Sequence, residues 1–176
     1  KAVLEKFAFA HGYKAMLFHS KDETGTDVYH TNVIMHLGES YAIICMESIP
    51  EEIERIALSQ LLQSTGHEII PITMQQVHAY AGNMLQVKNE KGKNFTILSR
   101  SAYISLTREQ KQILQHHTTL LPIDIKTIET IGGGSVRCMM AEIFLQKLQV
   151  WFTLFIYYFL CSFNYKLYLF IKISQI

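Results

Sequence analysis

Two nearly identical proline-containing strands constrain the fold of this chain more than any other feature. Ile-Ile-Pro-Ile at 69–72 and Leu-Leu-Pro-Ile at 120–123 lie 51 positions apart, and a helical pattern precedes each of them. The earlier helix opens at Ser-Ile-Pro-Glu-Glu (48–52), where a proline and two acidic residues suit the positive end of a helix dipole. The later helix starts at Thr107 with Gln110 as its capping-box partner. A repeat of this period predicts consecutive β/α units.

A third unit of the same kind is predicted at the start of the chain. Its helix has apolar residues at 3, 4, 7 and 9, Gly12 ends it, and an apolar strand follows at 15–18. Further strands are predicted at 33–35, 41–45, 84–87 and 95–98. The sequence therefore predicts an α/β fold built from repeated mixed units.

Polar residues of types that take part in catalysis recur at nearly the same interval. His30, Asn83 and Cys138 are separated by 53 and 55 positions, which suggests equivalent loops of successive units. In a radial repeat such loops converge at the central axis. The spacing therefore predicts that a histidine, an amide and a thiol lie close together.

Cys138 carries the sharpest chemical signal. Three glycines at 132–134 precede it, and glycines allow close backbone approach and expose N–H groups that favour a thiolate. Arg137 adds a positive charge beside it. The alternative is a small buried hydrophobe at the start of a strand at 138–144. Cys45, inside an apolar strand, is expected to be inert core.

His30 is the candidate proton-transfer residue. An imidazole titrates near neutral pH, so it can protonate a leaving group and then deprotonate water. The sequence has seven other histidines, and this weakens the assignment, because most histidines in proteins are surface or core residues without a catalytic role. The sequence has neither HExxH nor CxxC, and we predict no metal and no cofactor.

Composition narrows the function classes. A net charge of +1 offers no electrostatic footprint for nucleic acid, so we expect no nucleic-acid partner. Three cysteines without paired spacing argue against a disulfide framework and favour a reducing, cytoplasmic location. No signal-peptide pattern is present at the start. A homo-oligomer is left open.

Four ordered motifs resemble those of the arginine deiminase and amidinotransferase superfamily, and more narrowly its amidinotransferase-like, citrulline-hydrolysing branch. The resemblance covers about residues 2–148 and implies the pentein fold, a five-fold β/α propeller, of which this chain would supply about the last half. The motifs are His30-Thr31-Asn32-Val33, Ala81-Gly82-Asn83-Met84, Ser99-Arg100-Ser101-Ala102 and Gly132-Gly133-Gly134-Ser135-Val136-Arg137-Cys138-Met139.

The resemblance implies a hydrolase of a guanidino or ureido compound such as arginine or citrulline. Cys138 would form a covalent adduct, and His30 would act as general acid and then base. Asn32, Asn83 and Ser135 would bind or position the substrate. Many deiminases carry Asp where this chain has Asn32, and the neutral amide makes a neutral ureido substrate plausible.

Two alternatives share these residues. An amidinotransferase would use the same nucleophile but resolve the adduct with an amine. An inactive fragment or pseudoenzyme is the other, because the family's substrate-binding Asp and catalytic Glu lie upstream of the histidine motif. The chain starts at Lys1 without an initiator Met, so we expect a fragment that folds poorly in isolation.

The predicted domain boundary separates the pentein portion, residues 1–148, from a hydrophobic tail, residues 149–176. Residues 150–171 are nearly continuous Phe, Tyr, Leu and Ile, and about 20 such residues can span a bilayer. The favoured interpretation is translated intronic or out-of-frame DNA, because AT-rich codons specify these residue types. The alternative is a membrane segment, and a membrane partner is predicted only if the tail is genuine.

Overall fold

Two sheets of three strands each form the framework of the computed structural model, which describes residues 2–142. Helices flank both sheets, and a short 3₁₀ turn at Met46–Ser48 follows the second strand. The elements in chain order are α1 Ala2–Ala10, α2 Thr31–Ile34, β1 Met35–Leu37, β2 Tyr41–Ile44, α3 Glu52–Ser64, β3 Glu68–Pro71, α4 Met74–His78, β4 Leu85–Lys88, β5 Asn94–Ser99, α5 Arg100–Ser105, α6 Arg108–His117, β6 Thr119–Ile123, α7 Lys126–Gly132 and α8 Val136–Met139.

The two sheets have the same topology. In the first, β1 and β2 are antiparallel, and β3 returns parallel to β2 after the crossover helix α3. In the second, β4 and β5 are antiparallel, and β6 lies parallel to β5 after α5 and α6. Pro71 pairs with Ile44 and Pro122 with Leu98, so the two proline strands occupy equivalent places. The prediction of repeated mixed α/β units is confirmed.

Helix starts follow local sequence signals. The predicted capping box is present at α6, where Thr107 Oγ1 accepts from the Gln110 N–H at 3.1 Å and Gln110 Oε1 accepts from the Thr107 N–H at 2.8 Å. Thr73 and Gln76 form a second capping box at the start of α4. Such reciprocal bonds satisfy two backbone donors that no helical carbonyl can reach. The positions of these helices are therefore encoded locally.

The hydrophobic core lies around the central strand β2. Tyr41, Ile43 and Ile44 are fully buried there, and Leu98 of β5 belongs to the same cluster. Cys45 is buried beside them, and desolvation raises the pKa of its thiol. A raised pKa suppresses the thiolate at neutral pH. The expectation that Cys45 lies in the core is confirmed, and its inertness stays a prediction.

A line of buried polar groups joins the two sheets. His36 Nε2 lies 3.1 Å from Tyr41 Oη, which lies 2.6 Å from Thr96 Oγ1, and Thr96 donates to Thr118 Oγ1 at 3.0 Å. Burial raises the pKa of Tyr41 to about 12. It also lowers the pKa of His36 to about 4. Both side chains are therefore neutral at physiological pH, and the contact between the sheets includes hydrogen bonds as well as apolar packing.

Three predicted strands are wrong. Residues 15–18 are irregular and pair with no strand among residues 2–142. At 33–35, the helix α2 runs to Ile34, and β1 begins only at Met35. Of the strand predicted at 138–144, residues 138 and 139 lie in the helix α8 and residues 140–142 are irregular, whereas residues 143 and 144 lie outside the described part of the chain. Short apolar runs fit either period, so packing partners decide between helix and strand.

The remaining predictions on architecture are only partly covered by the described residues. The five-fold propeller stays a prediction, as does the boundary at residue 148. The hydrophobic tail at 149–176 lies outside the described residues. Within residues 2–142, none of the helices combines the length and the apolar character that crossing a bilayer requires.

Candidate active site

Cys138 lies on a short helix that a glycine turn brings to the surface. Gly133 follows α7 in the left-handed region at φ 64°, and α8 starts three residues later. A Cβ at Gly134 would lie 3.2 Å from Cys138 Cβ and 3.3 Å from its Sγ, closer than most side chains tolerate. Glycine at 134 therefore leaves room for the thiol, whose side chain is exposed.

The Asn83 amide holds three separate segments together around this thiol. Its Nδ2 donates to Cys138 Sγ at 3.2 Å and to the Asn32 carbonyl at 2.9 Å, and its Oδ1 accepts from the Arg137 N–H at 2.9 Å. Only 3% of Asn83 is exposed. Asn32 Nδ2 lies farther from Sγ, at 3.9 Å. Amide N–H groups directed at sulfur stabilise negative charge on it.

A strained turn places Asn83. Tyr80 adopts φ 63°, a left-handed conformation that is unfavourable for a residue with a side chain, and its carbonyl accepts from the Asn83 N–H at 2.9 Å. Gly82 packs against the backbone of α2, since a Cβ there would lie 2.5 Å from the Val33 carbonyl oxygen. This close approach brings Asn83 beside Asn32.

Replacement of Gly82 by alanine is expected to destabilise the protein by about 1–3 kcal/mol, because the added methyl group overlaps rigid backbone. Urea unfolding of the full-length gene product would measure this change. Gly132→Ala is the matched control, since its Cβ would meet only Ile128 Cγ2 at 3.7 Å, an ordinary contact. Equal stability changes for the two variants would contradict the proposed overlap.

His30 precedes Asn32 by two residues, and the described part of the chain shows no hydrogen bond from it to the thiol. It occupies the position just before α2, two residues from Asn32, and its side chain is exposed. Its ring packs against the ring of Tyr29 in a tilted arrangement, with 4.5 Å between the ring centroids and 55° between the ring planes. Among residues 2–142, the imidazole forms no hydrogen bond with Cys138 or either asparagine. Catalytic hydrogen bonds often form only when substrate binds, so the role of His30 stays a prediction.

Ser135 is buried, and its hydroxyl faces Glu129 instead of the open side of the thiol. Ser135 Oγ donates to Glu129 Oε1 at 2.7 Å, and Ser101 Oγ donates to Oε2 at 2.7 Å. This geometry favours a supporting role for the Ser135 side chain over substrate contact. Sequence reasoning missed Glu129 altogether. The only signal for it was a single acidic residue in the segment between Asp124 and the three glycines.

The described residues contain no cluster of three or more His, Cys, Asp or Glu side chains arranged to hold a metal. The groups that the structure brings to Sγ are instead the side-chain amides of Asn83 and Asn32. This arrangement can support a thiolate and can donate or accept hydrogen bonds with a planar, nitrogen-rich substrate. These are the requirements of covalent thiol chemistry.

The repeated sheets and the thiol between two amides define the class of protein: the chain belongs to the arginine deiminase, or pentein, superfamily, as its motifs had indicated. Within that class, the family model for eukaryotic N,N dimethylarginine dimethylhydrolase matches residues 1–145. Because this match spans most of the 176 residues, the chain belongs to the dimethylarginine dimethylhydrolase family. A comparison of the chain with curated proteins found no match.

Solved structures with the same fold come from cyanobacterial enzymes. The apo form of ArgZ, an arginine dihydrolase from the ornithine–ammonia cycle, superposes with a TM-score of 0.58 at 14% identity, covering 81% of this chain and 21% of that one. The product-bound N-terminal domain of ArgZ gives 0.56 at 13% identity, covering 76% and 44%. The chain therefore spans less than half the length of these proteins, and the similarity concerns the fold.

Proposed function

We propose that this protein hydrolyses a C–N bond of a guanidino compound through a covalent adduct on Cys138. The observation that carries the proposal is the 3.2 Å contact between Asn83 Nδ2 and Cys138 Sγ, which joins residues 55 positions apart at an exposed thiol. Family membership supports the substrate class, and dimethylarginine is the first substrate to test. The N-terminal domain of an ArgZ variant is itself covalently bonded to a reaction intermediate.

The proposed reaction has two halves. The Cys138 thiolate attacks the central guanidinium carbon and forms a C–S bond, and the C–N bond to the leaving amine then breaks. His30 supplies the proton that leaves with the amine. Water next adds to the same carbon, His30 accepts a proton from it, and the C–S bond breaks to restore the thiolate. Dimethylarginine would yield dimethylamine and citrulline, and arginine would yield ammonia and citrulline.

Asn32 is the proposed substrate-recognition residue. Its Oδ1 is buried and has no hydrogen-bond partner among residues 2–142, although the side chain as a whole is only half-buried. An unpaired buried acceptor costs about 1–3 kcal/mol, which a substrate N–H reached by a small side-chain shift would offset. The amide carries no charge, so a neutral ureido substrate such as citrulline stays the second candidate.

The test is to incubate the full-length gene product separately with dimethylarginine, arginine and citrulline in ¹⁸O-labelled water. Hydrolysis of either guanidino substrate places one ¹⁸O atom in the ureido product, whereas amidino transfer to an added amine places none. Mass spectrometry of rapidly quenched samples should locate the adduct on the peptide that contains Cys138. Folded protein that turns over none of these compounds, or an adduct on another residue, would overturn the proposal.

A further inference from the structure

Glu129 is a buried carboxylate that the proposed reaction does not use. It lies on α7 with 6% of its surface exposed. A carboxylate is costly to bury unless hydrogen bonds compensate it. Two hydroxyl groups do so here, from Ser101 to Oε2 and from Ser135 to Oε1, each at 2.7 Å. The residue is therefore fully engaged on both oxygens by neutral donors.

The side chain of Glu129 fixes the segment that carries the thiol. Ser135 is fully buried and lies immediately before α8, and its carbonyl accepts from the Cys138 N–H at 3.1 Å. A hydroxyl held by a carboxylate forms a stronger hydrogen bond than one between neutral groups. The Glu129 carboxylate thus restrains the first residue of the turn that orients Cys138.

The backbone of Glu129 fixes the segment that carries the amide. Its carbonyl oxygen accepts from Tyr80 Oη at 3.0 Å. Tyr80 is the left-handed residue of the turn that places Asn83, and its own carbonyl accepts from the Asn83 N–H. One residue therefore holds the two segments whose side chains meet at Cys138 Sγ.

We propose that Glu129 is a positioning residue that sets the distance between Asn83 Nδ2 and Cys138 Sγ. This inference rests on the proposed role of Cys138 as nucleophile. Loss of the carboxylate frees Ser135 and lets the start of α8 move away from Asn83. The thiol then loses a donor to its charged form, and its reactivity falls even though the residue stays exposed.

The test compares two serines that donate to the same carboxylate. Ser135→Ala and Ser101→Ala each remove one hydroxyl from Glu129, so their effect on its burial is similar, but only Ser135 belongs to the Cys138 turn. The full-length gene product would be treated with iodoacetamide at neutral pH, and the alkylation rates of Cys138 and Cys45 would be followed by peptide mass spectrometry. Buried Cys45 reports unfolding within the same sample.

We expect Ser135→Ala to slow alkylation of Cys138 about 5-fold and Ser101→Ala to change it by less than about 2-fold, with Cys45 unreactive in both. Glu129→Ala should slow Cys138 further. Glu129→Gln should recover most of the wild-type rate, because glutamine can accept from one serine and donate to the other. Glu109→Gln, at an exposed position of α6, should leave the rate unchanged.

A general loosening of the structure would change the alkylation rate of Cys138 in the opposite direction, because it would speed alkylation of both Cys138 and Cys45. Faster alkylation of both residues, or equal effects of Ser135→Ala and Ser101→Ala, would overturn the positioning role. The measurement needs no turnover, so it separates this inference from the proposed function. A protein that hydrolyses no guanidino compound can still show different alkylation rates of Cys138 in Ser135→Ala and Ser101→Ala. An active protein can show equal rates in the two variants.

Discussion

Replacement of Cys138 by alanine is expected to lower kcat for the proposed guanidino substrate by about 10⁴-fold or more, because Cys138 is the one exposed thiol among residues 2–142 that could form the covalent adduct. The amide groups of Asn83 and Asn32 remain, so substrate binding should change much less than kcat. Steady-state release of amine or ammonia, with substrate binding measured separately by calorimetry, would check both parts.

Replacement of His30 by alanine should lower kcat by about 10²–10⁴-fold, which is typical of a general acid–base residue.

Cys45 provides the matched control for the replacement of Cys138. It is the other cysteine in the described part of the chain, and it is buried beside Met74 with Sγ and Sδ 3.4 Å apart. Cys45→Ala is expected to lower stability while leaving kcat close to that of the wild type. A Cys138→Ala protein that is folded and still active within about 10-fold of wild type, or about 1.4 kcal/mol of activation free energy, would refute covalent catalysis by this thiol.

The protein is expected to lose about 3 kcal/mol of stability through His36 as the pH falls from 6.5 towards 4. Burial is the main cause that lowers the pKa of His36 from 6.5 to about 4; the nearby Arg137 cation adds to this lowering, and a hydrogen bond with the Met84 backbone partly opposes it. The unfolded chain therefore binds a proton at a pH where the folded chain does not. Full stability is present above pH 6.5, and each pKa unit corresponds to about 1.36 kcal/mol.

Urea unfolding of the full-length gene product at several pH values, with His36→Gln beside the wild type, would measure this contribution. The variant should be less stable at pH 7 but should lose less stability between pH 6.5 and 4. Tyr41 is the neighbouring titratable group, and its pKa of about 12 keeps it neutral throughout this range. His116→Gln, at an exposed position, should keep the wild-type pH dependence. Parallel curves for wild type and His36→Gln would contradict the assignment.

The sequence predicted those parts of the fold whose signals are local or repeated. The predicted bounds of the strands β2 to β6 agree with the structure to within about one residue at each end. These strands are apolar runs, and turns or helix starts lie on either side of them. The capping box of Thr107 and Gln110 located α6. The repeat period also identified Asn83 and Cys138 as loop residues of successive units, and the structure places them within 3.2 Å.

Other features depend on partners that are distant in sequence. Whether the residues after Gly134 form a strand or a helix depends on the left-handed turn at Gly133 and on the contact with Asn83, neither of which hydrophobic periodicity reveals. The bond between the Ser135 hydroxyl and Glu129 becomes visible only once α7 is folded against the same turn. The need for glycine at 82 arises from a backbone 49 residues earlier, at Val33.

The proline in β3 protects an open side of the first sheet. The N–H groups of Glu68 and Ile72 bond to carbonyls of Ser40 and Ile44. Because successive N–H groups of a strand point to opposite sides, the nitrogens of Ile69 and Pro71 point away from β2. Pro71 occupies one of these outward positions, where it costs no bond within the sheet and offers no donor to an incoming chain. Pro122 lies at the equivalent place of β6. The repeated proline therefore discourages edge-to-edge aggregation at the side where each three-stranded unit would otherwise accept another strand.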